Sequence, residues 1–96
     1  MKIAVPTDDR QTVAAVFGRA VEFAIAESGA KGFTFIEGMS NAERGAGTGA
    51  AAKLIDAGVE KVFVPHIGPK AEEVLVAAGI EFEIVAAGVP LLSLLK

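Results

Sequence analysis

Few side chains here can do chemistry, and they fall in four places. His66, the sole histidine, follows an apolar run at 61–65 (KVFVP) and precedes a helical pattern. An imidazole at such a turn can ligate a metal or carry a proton. Thr7, Asp8 and Asp9 follow another apolar run, 2–6 (KIAVP). Phe17-Gly18-Arg19-Ala20 sets a guanidinium beside a glycine. Gly45-Ala46-Gly47-Thr48-Gly49 feeds a second helical pattern, and backbone N–H groups in such a loop can cradle an anion. Each has a plainer reading. A lone turn histidine is commonly structural, and one imidazole is not a metal site. Asp8 and Asp9 suit turn capping. The glycine loop is not followed by Gly-Lys-Ser/Thr, so it is no nucleoside-triphosphate loop and could be an ordinary connection. Phe17 could be a core anchor and Arg19 a surface cation.

The elements that must position these groups are legible from periodicity. Residues 22–27 (EFAIAE) alternate, with Phe23 and Ile25 on one face. Residues 32–38 (GFTFIEG) alternate again, with Phe33, Phe35 and Glu37 on one side, and the two runs read as an antiparallel hairpin. A helix is predicted over 49–57 with Ala51, Leu54 and Ile55 as its stripe. A second is predicted from Pro69, with Ala71, Val74, Leu75 and Ala78 at helical spacing. Gly58 and Gly79 are placed to end them in the left-handed conformation. Residues 61–65 are apolar on both faces, as in a covered parallel strand; 81–85 (EFEIV) form the last strand, and 89–96 a closing helical turn. "DAGVEKVFV" and "AAGIEFEIV" repeat one helix-end–strand unit.

The order β-β-β-α-β-α-β, with right-handed crossovers, predicts an α/β fold. Its five-stranded mixed sheet has order 3-2-1-4-5, a ribonuclease H-like arrangement with helices covering the faces. Strands one and four adjoin and their connections diverge, so a ligand site is expected beyond their carboxyl ends. The 7–9 turn, the glycine loop and His66-Ile67-Gly68-Pro69 should converge there, two helix amino ends facing an anionic ligand. Val62, Val64, Leu54, Leu75 and Ile84 are expected in the core.

Composition bounds the rest. Ninety-six residues make a single domain. Without cysteine the chain offers neither disulfides nor thiolate ligands. A net charge of −3, scattered Lys and Arg, and no Trp or Tyr argue against a nucleic-acid partner. No apolar stretch is long enough for a membrane span, and no signal peptide is visible, so the expected location is cytoplasmic.

Four segments, "MKIAVPTDD", "FGRAVEFAI", "GAGTGAAAKLIDAGVEKV" and "IGPKAEEVLVAAGIEFE", resemble the dinitrogenase iron–molybdenum cofactor biosynthesis family. That family includes NifX-like and NafY-like proteins and the carboxy-terminal domain of NifB. The resemblance covers most of the chain. It implies a ribonuclease H-like fold and a carrier, not a catalyst, for an iron–sulfur or iron–molybdenum cofactor precursor, working with a cofactor-assembly protein. Carried onto this sequence, it implies binding through Phe17, Gly18, Arg19, the glycine loop with Gly45, Gly47, Thr48 and Gly49, and Ile67-Gly68-Pro69; the expected convergence of the turns adds Thr7, Asp8 and His66, with His66 as the candidate metal ligand. The chain departs from the pattern at Val16, where the family often has histidine, and in a loop that lacks histidines. His66 replaces a commonly small residue.

Two other functions compete. Ribonuclease H-like nucleases hold two metals on strand carboxylates, but Asp8 and Asp9 lie past strand one and "VFVPHIG" has no acid. A protein-binding or regulatory module would use the apolar tail "VPLLSLL" if it were exposed. The chain itself is expected to be a monomer or weak homo-oligomer.

Overall fold

The computed structural model describes residues 1–41 and 46–95. Five strands, β1 (Lys2–Thr7), β2 (Glu22–Glu27), β3 (Thr34–Glu37), β4 (Lys61–Val64) and β5 (Glu81–Ile84), form one sheet in the order β3-β2-β1-β4-β5. The helices are α1 (Ala46–Asp56) and α2 (Pro69–Ala77); 3₁₀ turns occupy Phe17–Arg19 and Leu91–Leu95. β1 runs antiparallel to β2 and parallel to β4, so the strand order and directions are those expected.

Strand alternation sorts the core into two sides. Ala4, Phe23, Ile25, Val62 and Val64 point to one face, where they pack with Phe17, Ala50, Ala51, Leu54, Ala71 and Leu75. Val5 and Ala24 point to the other, with Val13 and Leu91, while Ile3 and Ala26 meet Leu95. Both α-helices therefore lie on one face. The other is closed by the 3₁₀ turn at the carboxyl end and by the rings of Phe33, Phe35 and Phe63. Leu91 and Leu95 of the tail are buried, Val89 and Leu94 are half-buried against the core, and Leu92 alone of its leucines stays largely exposed at 63%.

The helix ends explain the internal repeat. Gly58 and Gly79 have φ of 77° and 76°. At the first end Gly58 N–H donates to Ile55 O and Val59 N–H to Leu54 O. At the second, Gly79 N–H donates to Val76 O and Ile80 N–H to Leu75 O. Each is a Schellman cap whose outer residue, Val59 or Ile80, is buried.

Helices were expected on both faces, and the structure has them on one. Three further expectations change. α1 begins at Ala46, three residues early by the sequence reading, because tertiary contacts at Gly47 outweigh glycine's poor helix propensity. Ile84, expected in the core, is 60% exposed at the end of the edge strand β5. Ile55 and Ala78 also turn towards solvent.

Candidate functional site

The first 3₁₀ turn and the two helix amino ends meet on the helical face. Phe17 is the anchor: it is 2% exposed, and its ring lies 5.3 Å from that of Phe23. Gly18 then passes directly over the start of α1. A Cβ there would stand 2.9 Å from Gly47 N and 3.1 Å from Gly47 Cα, closer than backbone can yield. Gly47 in turn leaves room for α2: its own Cβ would lie 3.4 Å from the Ala71 Cβ. Two glycines thus let three backbones close on one point.

A cleft of about 590 Å³ opens there, lined by Val16, Phe17, Gly18, Ala46, Gly47, Thr48, His66, Gly68, Pro69, Lys70 and Ala71. The first turn of a helix has N–H groups without intrahelical acceptors. In α2, Pro69 has no N–H, and Glu72 N–H bonds to Gly68 O. The remaining donors of that turn belong to Lys70 and Ala71, both in the wall. Gly68, at the α2 N-cap, makes no side-chain cap. Among the described lining residues there is one ammonium, one imidazole and no carboxylate, in a chain of net charge −3. His66 is exposed at the rim.

Six of the expected site residues line the cleft: Phe17, Gly18, Gly47, Thr48, His66 and Gly68. Gly45 lies outside the described residues. The others lie elsewhere. Ile67 is half-buried against the core, Gly49 faces Met39, and Arg19 is exposed but outside the cleft lining.

Thr7 and Asp8 depart most from expectation. Thr7 is fully buried; its hydroxyl donates to Thr12 O at 2.8 Å and accepts from Arg10 N–H at 3.0 Å. Asp8 accepts from Val21 N–H at 3.0 Å. Asp9 accepts from Thr12 N–H, Gln11 N–H and the Thr12 hydroxyl; these donors, the Thr12 N–H foremost, hold its carboxyl down at about 2. Here the turn-capping reading of the aspartates fits their contacts. The segment turns back to pair Thr12 with Pro90, away from the cleft.

Five further residues line the cleft: Ala46 and Pro69, which belong to the segments expected to converge here, and Val16, Lys70 and Ala71, which were not assigned to the site from sequence. The signal for Lys70 and Ala71 was present in Pro69 as a first-turn residue, which sets both at a helix start. No group of three or more His, Cys, Asp or Glu among the described residues could share a metal ion, and no described helix is long and apolar enough to cross a membrane.

Comparison with known proteins bears on the family and the fold. The family model described as dinitrogenase iron-molybdenum cofactor matches residues 1–96. An uncharacterised protein of Methanocaldococcus jannaschii is 36% identical over 85 residues, covering 84% of this chain and 71% of that protein. The apo form of the orange protein from Desulfovibrio gigas superposes with a TM-score of 0.87 at 27% identity, over 96% of this chain and 81% of that one. A candidate NifB protein from Thermotoga, of the DUF35 family, superposes with a TM-score of 0.75 at 25% identity, over 92% and 78% respectively.

Proposed function

We propose, from the premise that this chain belongs to the dinitrogenase iron–molybdenum cofactor family, that it is a small non-catalytic carrier. Its cargo is an anionic metallocluster of the iron–sulfur or iron–molybdenum precursor kind, held in the cleft and exchanged with a cofactor-assembly protein. The fold is of the ribonuclease H-like type, residues 1–96 act as one domain, and the setting is cytoplasmic.

The carrying observation is the cleft wall itself. Two helix amino ends, the Lys70 ammonium and His66 face one space that no described carboxylate lines. Such a wall suits negative charge. It does not suit a bare cation, which would need several side-chain ligands from the protein. A preassembled cluster brings its own bridging atoms; its outer acceptors take the N–H bonds of Lys70 and Ala71, and His66 can fill one open coordination position. Phe17, Pro69 and Val16 shield the apolar side. In the nuclease alternative Asp8 and Asp9 would hold metal, but both are committed to backbone N–H groups.

The test is anaerobic incubation of the chain with ferrous iron and sulfide, followed by absorbance and native mass spectrometry. A bound cluster is expected. His66→Ala should leave the thermal midpoint nearly unchanged and weaken retention of the cluster about tenfold. No cluster absorbance and no bound iron would overturn the carrier reading. A variant that loses a kilocalorie or more of stability and keeps its cluster would return His66 to a turn role.

A further inference from the structure

One wall of the cleft is a helix turn that cannot hold itself. Ala46, Gly47 and Thr48 line the cleft, and Gly49 completes the first turn of α1. Two glycines among these four residues leave the turn with little helix propensity of its own. It therefore depends on what packs against it. Gly18 and Ala71 close on Gly47 from two sides. Gly49 is covered by one side chain, that of Met39. A Cβ at Gly49 would stand 2.5 Å from the Met39 Cε and 3.5 Å from its sulfur. The bare backbone of Gly49 is what lets the thioether lie along the helix.

Met39 can be reached as well as hold. It is half-buried, and it packs on the core cluster that contains Phe17, Ala50 and Leu54. The chain has no cysteine and two methionines. The other, Met1, is 53% exposed at the amino end. Of the two sulfur atoms, that of Met39 alone packs on a core cluster.

We propose that Met39 is a redox-sensitive prop for the cleft, whose oxidation to the sulfoxide by a peroxide loosens the start of α1 and releases the cargo. This regulation rests on the carrier reading of the same cleft. The step balances. A sulfur lone pair attacks one oxygen of hydrogen peroxide, the O–O bond breaks, and the second oxygen leaves as water. Methionine is oxidised and the peroxide is reduced. Methionine sulfoxide reductases reverse the change, drawing electrons from a thiol that becomes a disulfide.

The consequence follows from the slot. A sulfoxide is polar where the thioether was apolar. Its oxygen needs a donor, and the slot is formed by helix backbone and core side chains. Either the oxygen stays unpaired, which is costly, or the side chain swings out to water. Met39 has three rotatable bonds and sits beside solvent, so swinging out is open to it. Gly49 then loses its cover. The contacts of Gly18 and Ala71 on Gly47 remain, so the result is local fraying of the turn and not unfolding of the domain.

The experiment treats the empty full chain with dilute hydrogen peroxide and follows oxygen uptake by peptide mass mapping, which separates Met39 from Met1. The N–H groups of Ala50 and Ala51 bond to Ala46 O and Gly47 O across the first turn, so their exchange reads its fraying. Both should exchange about tenfold faster once Met39 is oxidised, while the amides of β4 keep their rates. A cluster reconstituted from ferrous iron and sulfide should be held about tenfold more weakly. Sulfoxide reductases with a thiol should restore both properties. Met39→Leu, of similar volume, should be indifferent to peroxide. Met39→Gln, polar and of similar length, should behave as the oxidised protein without it. Unchanged Ala50 and Ala51 exchange after Met39 is oxidised overturns the proposal. So does a Met39 that stays reduced once Met1 is fully oxidised, or the same loosening in Met39→Leu. A loosened turn that holds its cluster as firmly as before overturns the regulatory role. A chain that binds no cluster in any state overturns the carrier reading, while the exchange rates of the empty chain still decide whether Met39 props the turn.

Discussion

Asp9 shows how one exposed residue is tied up by its own turn. Its carboxylate takes the N–H groups of Thr12 and Gln11, and beside it Arg10 adopts φ of 63° and forks onto Glu22 through Nε and Nη2 at 2.7 and 2.8 Å. Glu22 is also held below the usual carboxylate range, chiefly by its hydrogen bond from Arg10. The sign is the same for both acids. A depressed folded pKa stabilises the native state above the unfolded value and ceases to do so as the acid protonates. For Asp9 that window runs from its ordinary 3.8 down to about 2. Asp9→Asn should therefore flatten the acid limb of the stability–pH curve in this window, measured by urea unfolding at stepped pH. An unchanged slope would mean the turn does not hold its hydrogen bonds in solution. The acids and their capping role were legible in the sequence, but their direction was not. Thr7 and Asp8 were expected to face a ligand because they follow a strand's carboxyl end. The chain instead folds back to bond Ala14 N–H to Pro6 O and Leu91 N–H to Gln11 O, pairings between distant segments that no local spacing announces.

At the scale of elements, the sequence was most informative where chemistry leaves one option. Two glycines after apolar helical stripes, each followed by a β-branched residue, could only be left-handed caps. Both are, with matching hydrogen bonds and buried outer residues. Gly58→Val and Gly79→Val should each cost more than about 1 kcal/mol, since a β-branched residue is strained at positive φ. A thermal midpoint unchanged in both would contradict the caps. Space is not the obstacle: a Cβ at either position meets nothing within 4 Å. Strand order was legible for a similar reason, because crossover handedness and short loops leave few topologies. Helix placement follows from the same rule: β3, β4 and β5 run parallel and both crossovers advance the same way, so right-handed connections put α1 and α2 on one face. What no local pattern announced is the cover of the second face, which here is the 3₁₀ turn at the carboxyl end and three phenylalanine rings. Ile84 misled because alternation assigns a face but not its covering. Phe82, on the same side of β5, packs against the core; Ile84, at the end of the strand, does not.

The whole molecule is a sheet closed differently on each side. The helical face holds the cleft where three backbones converge, and the opposite face is closed by the carboxyl-end turn and phenylalanine rings. Half of the expected site residues reached the cleft, because a topological switch point is set by strand order, which was readable. The contribution of the first 3₁₀ turn was not readable from topology; it depends on Gly18 lying flat against Gly47, a contact across nearly thirty positions of sequence. That seam couples stability to binding. Gly18→Ala places a Cβ against backbone that cannot swing aside, so it should cost roughly 1–3 kcal/mol in the empty protein. It should also pry the turn from α1 and widen the cleft. A ligand at a hundred times its dissociation constant stabilises a native state by about 2.7 kcal/mol. In a chain of this size that raises the thermal midpoint by about 10–20 °C. Melting the wild type and Gly18→Ala anaerobically, with and without a reconstituted iron–sulfur cluster, separates the two effects. The variant should melt lower when empty and gain clearly less on loading at the same cluster concentration. A variant that melts lower yet gains the full shift would show that the seam holds the fold together without shaping the place where the cargo binds.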